Sequence, residues 1–328
     1  MDWKALANRI LDGGEPITRN EALAVLNSRD DELLDVLQAA YLIRKNFFGT
    51  KVSLHVLKNA KSGVCPEDCS FCSQSKSANA DIEEYEMQSA DEIVASAQDA
   101  IDMRALRYCV VTSSRSPSES EMKTITEAAA RIKQEYPQLE LCASMGFLSE
   151  EKAQRLKDSG VDRFNHNLET SANFYPSICS THKFEDRVET ARTVKKVGLD
   201  LCCGGLIGMG ESLEDRVDLA MSLKELKTDS APINFLDPRE GTGLEGRERL
   251  SPNDCLRTLA MFRFVLTYAE VRIAGGRETC LRSLQPLSLY PANSMFTNGY
   301  LTTGGQDFDA DKQMIEDAGF ELGHLVNA

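Results

Sequence analysis

Cys65, Cys69 and Cys72 stand within eight residues, in the segment GVCPEDCSFCSQS. Three thiolates so close can wrap one soft metal centre, and thiolate favours iron-sulfur clusters, zinc and copper(I) over oxygen-seeking metals. A structural zinc site or an ordinary cluster wants a fourth protein ligand, and no local Cys or His completes this set. A four-iron cluster held by three cysteines keeps one iron open for a substrate or cofactor. Two blander readings stand beside it. One is a zinc site completed from afar; the other is a stripe on a buried helix, because positions 65, 69 and 72 share a helix face. Gly63 and Pro66 mark a loop instead, and the polar neighbours weaken the stripe.

A second group of polar residues lies where strands should be apolar. Arg272 stands between Val271 and Ile273, Asn234 between Ile233 and Phe235, and Cys109 between Tyr108 and Val110. Asn165 and Asn167 share one face of the run from Phe164 to Asn167. Strand side chains alternate between faces, so each of these points opposite to its apolar neighbours, into a barrel or its mouth. A buried unpaired guanidinium or amide is costly, so partners are implied inside. A self-satisfied polar network, or a partly exposed strand, explains any one of them. Four strands converging point to a polar ligand or a second metal centre. Cys142 and Cys202 also fall on strand candidates, and neighbouring Cys203 should face away from Cys202.

The elements that must position these groups follow from periodicity. Helical spacing over Ile17 to Asn27, with Thr18 and Asn20 as cap candidates, and over Asp30 to Asn46 predicts a helical extension across residues 1–50. From Val52 onward short apolar runs alternate with amphipathic helical stretches, the pattern of parallel strands joined by crossover helices. Strands are expected at 53–57, 106–111, 139–143, 162–167, 199–203, 233–236, 270–273 and 294–296. Helices are expected at 90–103, 119–136, 150–159, 185–197, 213–227, 253–267 and 279–284. Eight strands with helices between most of them predict an α/β fold, a (β/α)8 TIM-type barrel with its C-terminal segment over 51–328. Its active-site residues would lie at the C-terminal strand ends.

Composition narrows the classes. No apolar run approaches the roughly 18 residues of a membrane span, and the start carries no signal-peptide pattern, so a soluble cytoplasmic protein is expected. A formal charge of -14 with no basic patch disfavours nucleic acid. The ten cysteines, in a reducing compartment, read as ligands or buried small hydrophobes rather than disulfides. Cys179, Cys255 and Cys280 are read as semi-buried thiols, and His166 as packed behind its strand. The glycine-rich stretch Gly204 to Gly210 lacks dinucleotide spacing and a P-loop lysine.

The C-x-x-x-C-x-x-C spacing with Phe71 before the last cysteine resembles the cluster motif of the radical S-adenosylmethionine (SAM) superfamily. The phrases GVCPEDCSFCSQS, ELCASMGFLSEEKAQRL, VDRFNHNLETS, DLCCGGLIGMGES, APINFL and VRIAGGRE are similar, in order and spacing, to the biotin synthase family. That resemblance implies a 4Fe-4S cluster on Cys65, Cys69 and Cys72, chelating SAM through its open iron. It implies a second cluster, 2Fe-2S, on Cys109, Cys142, Cys202 and Arg272, the arginine and the choice of Cys202 resting on the resemblance alone. It implies SAM contacts from Phe71, Asn167, Glu169 and Arg187, and substrate contacts from Asn165, Asn167 and Asn234. Glu169 stands where some members carry Asp, and Phe71 where others carry Tyr. The implied reaction is sulfur insertion into dethiobiotin, with no catalytic side chain beyond the clusters, since no acid or base could activate such C–H bonds. A reducing partner such as flavodoxin or ferredoxin and a homodimer are implied too. A different radical SAM enzyme (a mutase, lyase or maturation factor) and a non-catalytic zinc or iron-sulfur protein are the alternatives.

Overall fold

A computed structural model describes residues 1–63 and 65–323; the last part of the expected C-terminal segment, residues 324–328, lies outside the described residues. Helices α1 (Trp3–Leu11), α2 (Arg19–Leu26) and α3 (Leu33–Phe48) precede strand β1 (Lys51–Lys61). Then come α4 (Ala90–Asp102), β2 (Arg107–Thr112), α5 (Glu119–Glu135), β3 (Glu140–Ser144), α6 (Glu150–Asp158) and β4 (Arg163–Asn165). The chain continues through α7 (Phe184–Lys196), β5 (Asp200–Cys202), β6 (Gly205–Ile207), α8 (Leu213–Glu225), β7 (Ser230–Phe235), α9 (Pro252–Val265) and β8 (Glu270–Ile273). It ends with α10 (Arg277–Leu281), β9 (Ser294–Phe296), α11 (Phe308–Asp317) and β10 (Glu321–Leu322).

All the strand pairings are parallel, and β9 pairs back onto β1, which closes the barrel. Its eight staves include one that is broken: β5 meets β7 at Cys202 and Ser230, and β6 then continues along β7 from Gly205. The break needs Gly204, where a Cβ would lie 1.9 Å from the Pro232 carbonyl oxygen. β10 adds to the start of β1 outside the ring.

Alternation along the staves builds two different interiors. Outward residues such as Tyr108, Val110, Leu141, Phe164, Leu201, Val271 and Ile273 are buried against the helices in one large apolar core, each worth roughly 1.5–3 kcal/mol when fully buried. Inward residues mix polar groups with a few apolar ones such as Leu57, Val111 and Phe296. Because β2, β3, β4, β5 and β8 begin with Arg107, Glu140, Arg163, Asp200 and Glu270, a ring of charge lies one step below Cys109, Cys142, Asn165, Cys202 and Arg272.

Helix starts are set by side-chain caps. Capping boxes join Thr18 with Glu21, Ser89 with Glu92, Ser118 with Glu121 and Ser212 with Asp215. Of the two cap candidates for α2, Thr18 takes the position and Asn20 lies inside the helix. The N-terminal helices rest on the barrel wall: α2 and α3 pack on α9, and Asp30 accepts hydrogen bonds from Arg257 and Asn253. The structure adds α1, β6, β10 and α11 to the elements expected from periodicity, and β1 extends beyond residues 53–57 at both ends. Among the described residues no helix is long and apolar enough to cross a membrane.

Candidate active site

A cavity of about 660 Å³ occupies the C-terminal end of the barrel, a size suited to a small molecule. Its wall includes Cys109, Cys142 and Arg272 at depth, Asn165, Asn167, Glu169 and Asn234 at mid-height, and Phe71 and Cys72 on the loop after β1. Cys202 is fully buried beside the deep group. Cys65, Cys69 and Arg187 stand outside the wall.

The deep cysteines pack in one buried cluster. Cys109 and Cys142 are register partners, and the Cys142 thiol neighbours both Cys109 and Cys202. Asn165 Nδ2 donates to Cys202 Sγ at 3.2 Å and Arg272 Nη1 points at the same sulfur from 3.7 Å. The hydrogen bond with Cys142 and, against the effect of burial, the Arg272 guanidinium hold the Cys202 thiol well below its ordinary range. Arg272 is fixed at its other nitrogen, Nη2, which donates to Ser230 Oγ at 2.7 Å and to Glu270 at 2.8 Å. Its Nε has no partner among the described residues. Three thiols packed in one small cluster, with a guanidinium aimed at one of them, fit a soft metal centre. Cys203, as expected from alternation, turns into the outer apolar core.

The first triplet lies on a loop, not on a helix, so a helical stripe is not its explanation: residues 65–72 contain no helix, only a turn closed by Cys72 N–H to the Cys69 carbonyl, and Cys65 bridges to Ser75. A second segment clamps this loop. Asp68 accepts from the backbone N–H groups of Ser180 and Thr181 at 3.0 and 3.2 Å. Glu67 accepts from Arg115 at 2.6 Å, from Thr181, and from His182 Nδ1 at 2.6 Å. Burial opposes the charge on Glu67, but these bonds keep its carboxyl below the usual range.

Cys179, set aside from sequence as a semi-buried thiol, is a neighbour of the triplet. Its Sγ is 3.9 Å from Cys69 Sγ, and ligand atoms of Cys69, Cys179 and His182 lie within 4.8 Å of one another. A zinc site completed from afar would have to use this group. His182 Nδ1 bonds Glu67 and lies 3.3 Å from Cys179 Sγ, while its Nε2 bonds the Tyr175 hydroxyl at 2.7 Å. The imidazole clamps the loop, and the Cys179 thiol donates to Asp68 at 3.2 Å. Burial raises the Cys72 thiol to about 11, so loading metal on it must expel a proton.

Between the two thiol sets the amides are only part-used. Asn234 accepts from Gly275 N–H at 2.9 Å and donates to the Gly205 carbonyl at 3.2 Å. Asn165 Nδ2 also donates to Asn167 Oδ1 at 3.3 Å, and that oxygen accepts from Gly204 N–H at 3.1 Å. Each amide keeps a further donor or lone pair for a ligand. Glu169 sits in the left-handed region at φ 68°, and burial raises its carboxyl against the pull of Arg187. Arg187 is held behind the wall, donating to the Asn167 carbonyl at 2.9 Å and to the Tyr175 hydroxyl. Two wall residues not anticipated from sequence are Ser144, bonded to Asn165 Oδ1 at 3.3 Å, and Tyr300, whose hydroxyl donates to Glu278 at 3.0 Å. No local motif marks either.

Comparison with known proteins gives the family. Residues 60–223 match the family model of the Radical SAM superfamily, and residues 232–321 match the Biotin and Thiamin Synthesis associated domain. The chain is 51% identical to biotin synthase of Salinibacter ruber, covering 97% of this chain and 88% of that one. It is 50% identical to biotin synthase of Anoxybacillus flavithermus, covering 98% and 97%. Among solved structures, methylornithine synthase superposes with a TM-score of 0.83 at 18% identity, covering 98% of both chains. The FeFe-hydrogenase maturase HydG from Carboxydothermus hydrogenoformans gives 0.83 at 16%, covering 98% of this chain and 79% of the other. At such identities these two establish the fold alone.

Proposed function

Because the chain belongs to the biotin synthase family of radical SAM enzymes, which insert sulfur into dethiobiotin, we propose how its residues divide that work. Cys65, Cys69 and Cys72 hold the family's 4Fe-4S cluster, and Cys109, Cys142, Cys202 and Arg272 hold a second, 2Fe-2S cluster. The observation that carries this division is the cavity, whose wall has Cys72 on the loop after β1 and Cys109, Cys142 and Arg272 at depth. A substrate between them has one thiol set on either side.

With both clusters and SAM bound, the site has a source of 5'-deoxyadenosyl radical and a source of sulfur. The chain's own contribution is placement. Asn165, Asn167 and Asn234 offer amide donors and acceptors suited to a cyclic urea, which carries both N–H groups and a carbonyl. Phe71 and Glu169 line the wall, and this reading puts SAM on their side. Arg187 acts there through the Asn167 backbone and the nearby Glu169, 3.9 Å away. The closed barrel keeps water from a reactive intermediate. The same proposal treats residues 1–50 as a helical extension of a barrel over 51–328. It takes a homodimer and a flavodoxin or ferredoxin as electron donor from the family. Ten free cysteines and two oxidisable clusters suit a reducing cytoplasm.

The test is an anaerobic incubation of protein reconstituted with iron and sulfide, together with SAM, a reductant and dethiobiotin. Mass spectrometry should find biotin and 5'-deoxyadenosine. Deoxyadenosine without biotin would instead indicate a radical SAM enzyme with a different small-molecule substrate.

A further inference from the structure

The ring of charge beneath the deep thiols has no part in the chemistry described so far, and one member holds it together. Glu270 Oε1 accepts from Arg272 Nη2 at 2.8 Å, from Ser230 Oγ at 2.8 Å and from Arg107 Nη1 at 3.1 Å. Arg107 Nη2 reaches Glu270 Oε2 at 3.3 Å and Glu140 at 2.7 Å, and Glu140 is shared with Arg163. Both Arg107 and Arg272 are 1% exposed. Two buried guanidiniums this close repel, and each would be costly unpaired. The buried imidazole at this level, His55, adds no positive charge, because burial together with Arg272 and Arg107 drives it well below its ordinary range.

We infer that Glu270 is the positioning residue of Arg272: its carboxylate bridges Arg107 and Arg272 and leaves only the Nη1 edge of Arg272 to face Cys202. This inference rests on the second-cluster reading above. The physical reason is directional. Arg272 has two hydrogen-bond acceptors on Nη2, Ser230 and Glu270, and the Phe296 ring lies 4.9 Å from its guanidinium carbon. Sliding or turning the guanidinium would break the Nη2 pair, so Nη1 is held 3.7 Å from Cys202 Sγ. Partners behind a metal ligand set its orientation, and losing one typically weakens metal affinity by about 10-fold to 100-fold.

Glu270→Gln keeps the shape, removes the charge, and offers an N–H to arginines that need acceptors. After anaerobic reconstitution with ferrous iron and sulfide, this variant should hold second-cluster iron about tenfold more weakly against a chelator. The visible circular dichroism of that cluster should change, while SAM cleavage at the first cluster persists as an internal measure of intact folding. Glu270→Asp should restore most of the hold and the signature, which a role in stability alone would not require. Ser230→Ala, which removes the other acceptor of Nη2 and one donor to Glu270 but keeps the carboxylate, should shift both readouts in the same direction and by less, and it serves should Glu270→Gln fail to fold. Wild-type retention and signature in Glu270→Gln, or in Ser230→Ala if that is the variant that folds, overturns the inference. Wild-type protein that loads the first cluster but never a second overturns the reading beneath it, and this inference with it.

Discussion

The two thiol sets are built in opposite ways. Cys65, Cys69 and Cys72 come from one loop, given its shape by turns and by a clamp from residues 179–182, more than a hundred positions away. Cys109, Cys142 and Cys202 come one each from rigid strands, with Arg272 from a fourth, and their mutual placement is set by strand register. A loop can bring three ligands to one centre and leave a fourth position open to a cofactor. Strands give a site enclosed on all sides, floored by charge, with access only through the cavity. The contrast suits the proposed division, an exchangeable cofactor at one end and a buried cluster at the other.

The sharpest way to break this comparison is to delete a ligand from each set. Cys72→Ala should abolish both 5'-deoxyadenosine and biotin, to background, because no radical source remains. Cys142→Ala should abolish biotin yet keep deoxyadenosine within about tenfold of wild type, since the loop site is untouched. Product analysis by mass spectrometry reads both, and identical losses in the two variants would merge what is here separated.

A milder test targets the clamp. His182→Ala leaves Glu67 and the Tyr175 hydroxyl without their shared partner. First-cluster iron should be lost to a chelator about tenfold faster, with the second cluster's visible absorption unchanged.

The same contrast explains what could be read from sequence. The loop triplet was legible because its ligands are sequential. Arg272 and Asn234 were legible as misfits because each interrupts an apolar strand. Their convergence on one cavity was an inference from barrel topology, and the arginine's role came from family resemblance, since a normally protonated side chain is not an evident iron ligand. Cys179 was missed because its neighbour Cys69 is 110 residues away and no short pattern encodes the contact. The break at Gly204 was hidden for a related reason. A glycine pair reads as a loop, whereas here it lets one stave change direction against the Pro232 carbonyl. The charged ring was visible as single residues at strand starts, but only register shows that Arg107, Glu140 and Glu270 meet.

Smaller effects test the supports of each set. Gly204→Ala should destabilise the protein by about 1–3 kcal/mol in thermal unfolding, as a methyl forced against backbone does, and it should disturb Cys202 before it disturbs the loop. The smallest lies far from both sets. Arg9 bonds Glu21 through both its terminal nitrogens at 2.8 Å and holds the Glu21 carboxyl at about 2, below its ordinary 4.5. A depressed carboxyl stabilises the fold above its unfolded value and loses that contribution as pH falls from about 4.5 through about 2. Solvent screening keeps the effect under about 1 kcal/mol, and Glu21→Gln should flatten that part of the acid-unfolding curve without altering either cluster.

The central claim is that the strand-borne set supplies sulfur while the loop-borne set supplies the radical. Its most direct test loads the second cluster with isotopically heavy sulfide, removes free sulfide, and runs one turnover with SAM, reductant and dethiobiotin. Biotin carrying the heavy isotope, with loss of the second cluster's absorption in proportion to product, is the expected result. Biotin made with ordinary sulfur while the labelled cluster stays intact would contradict it.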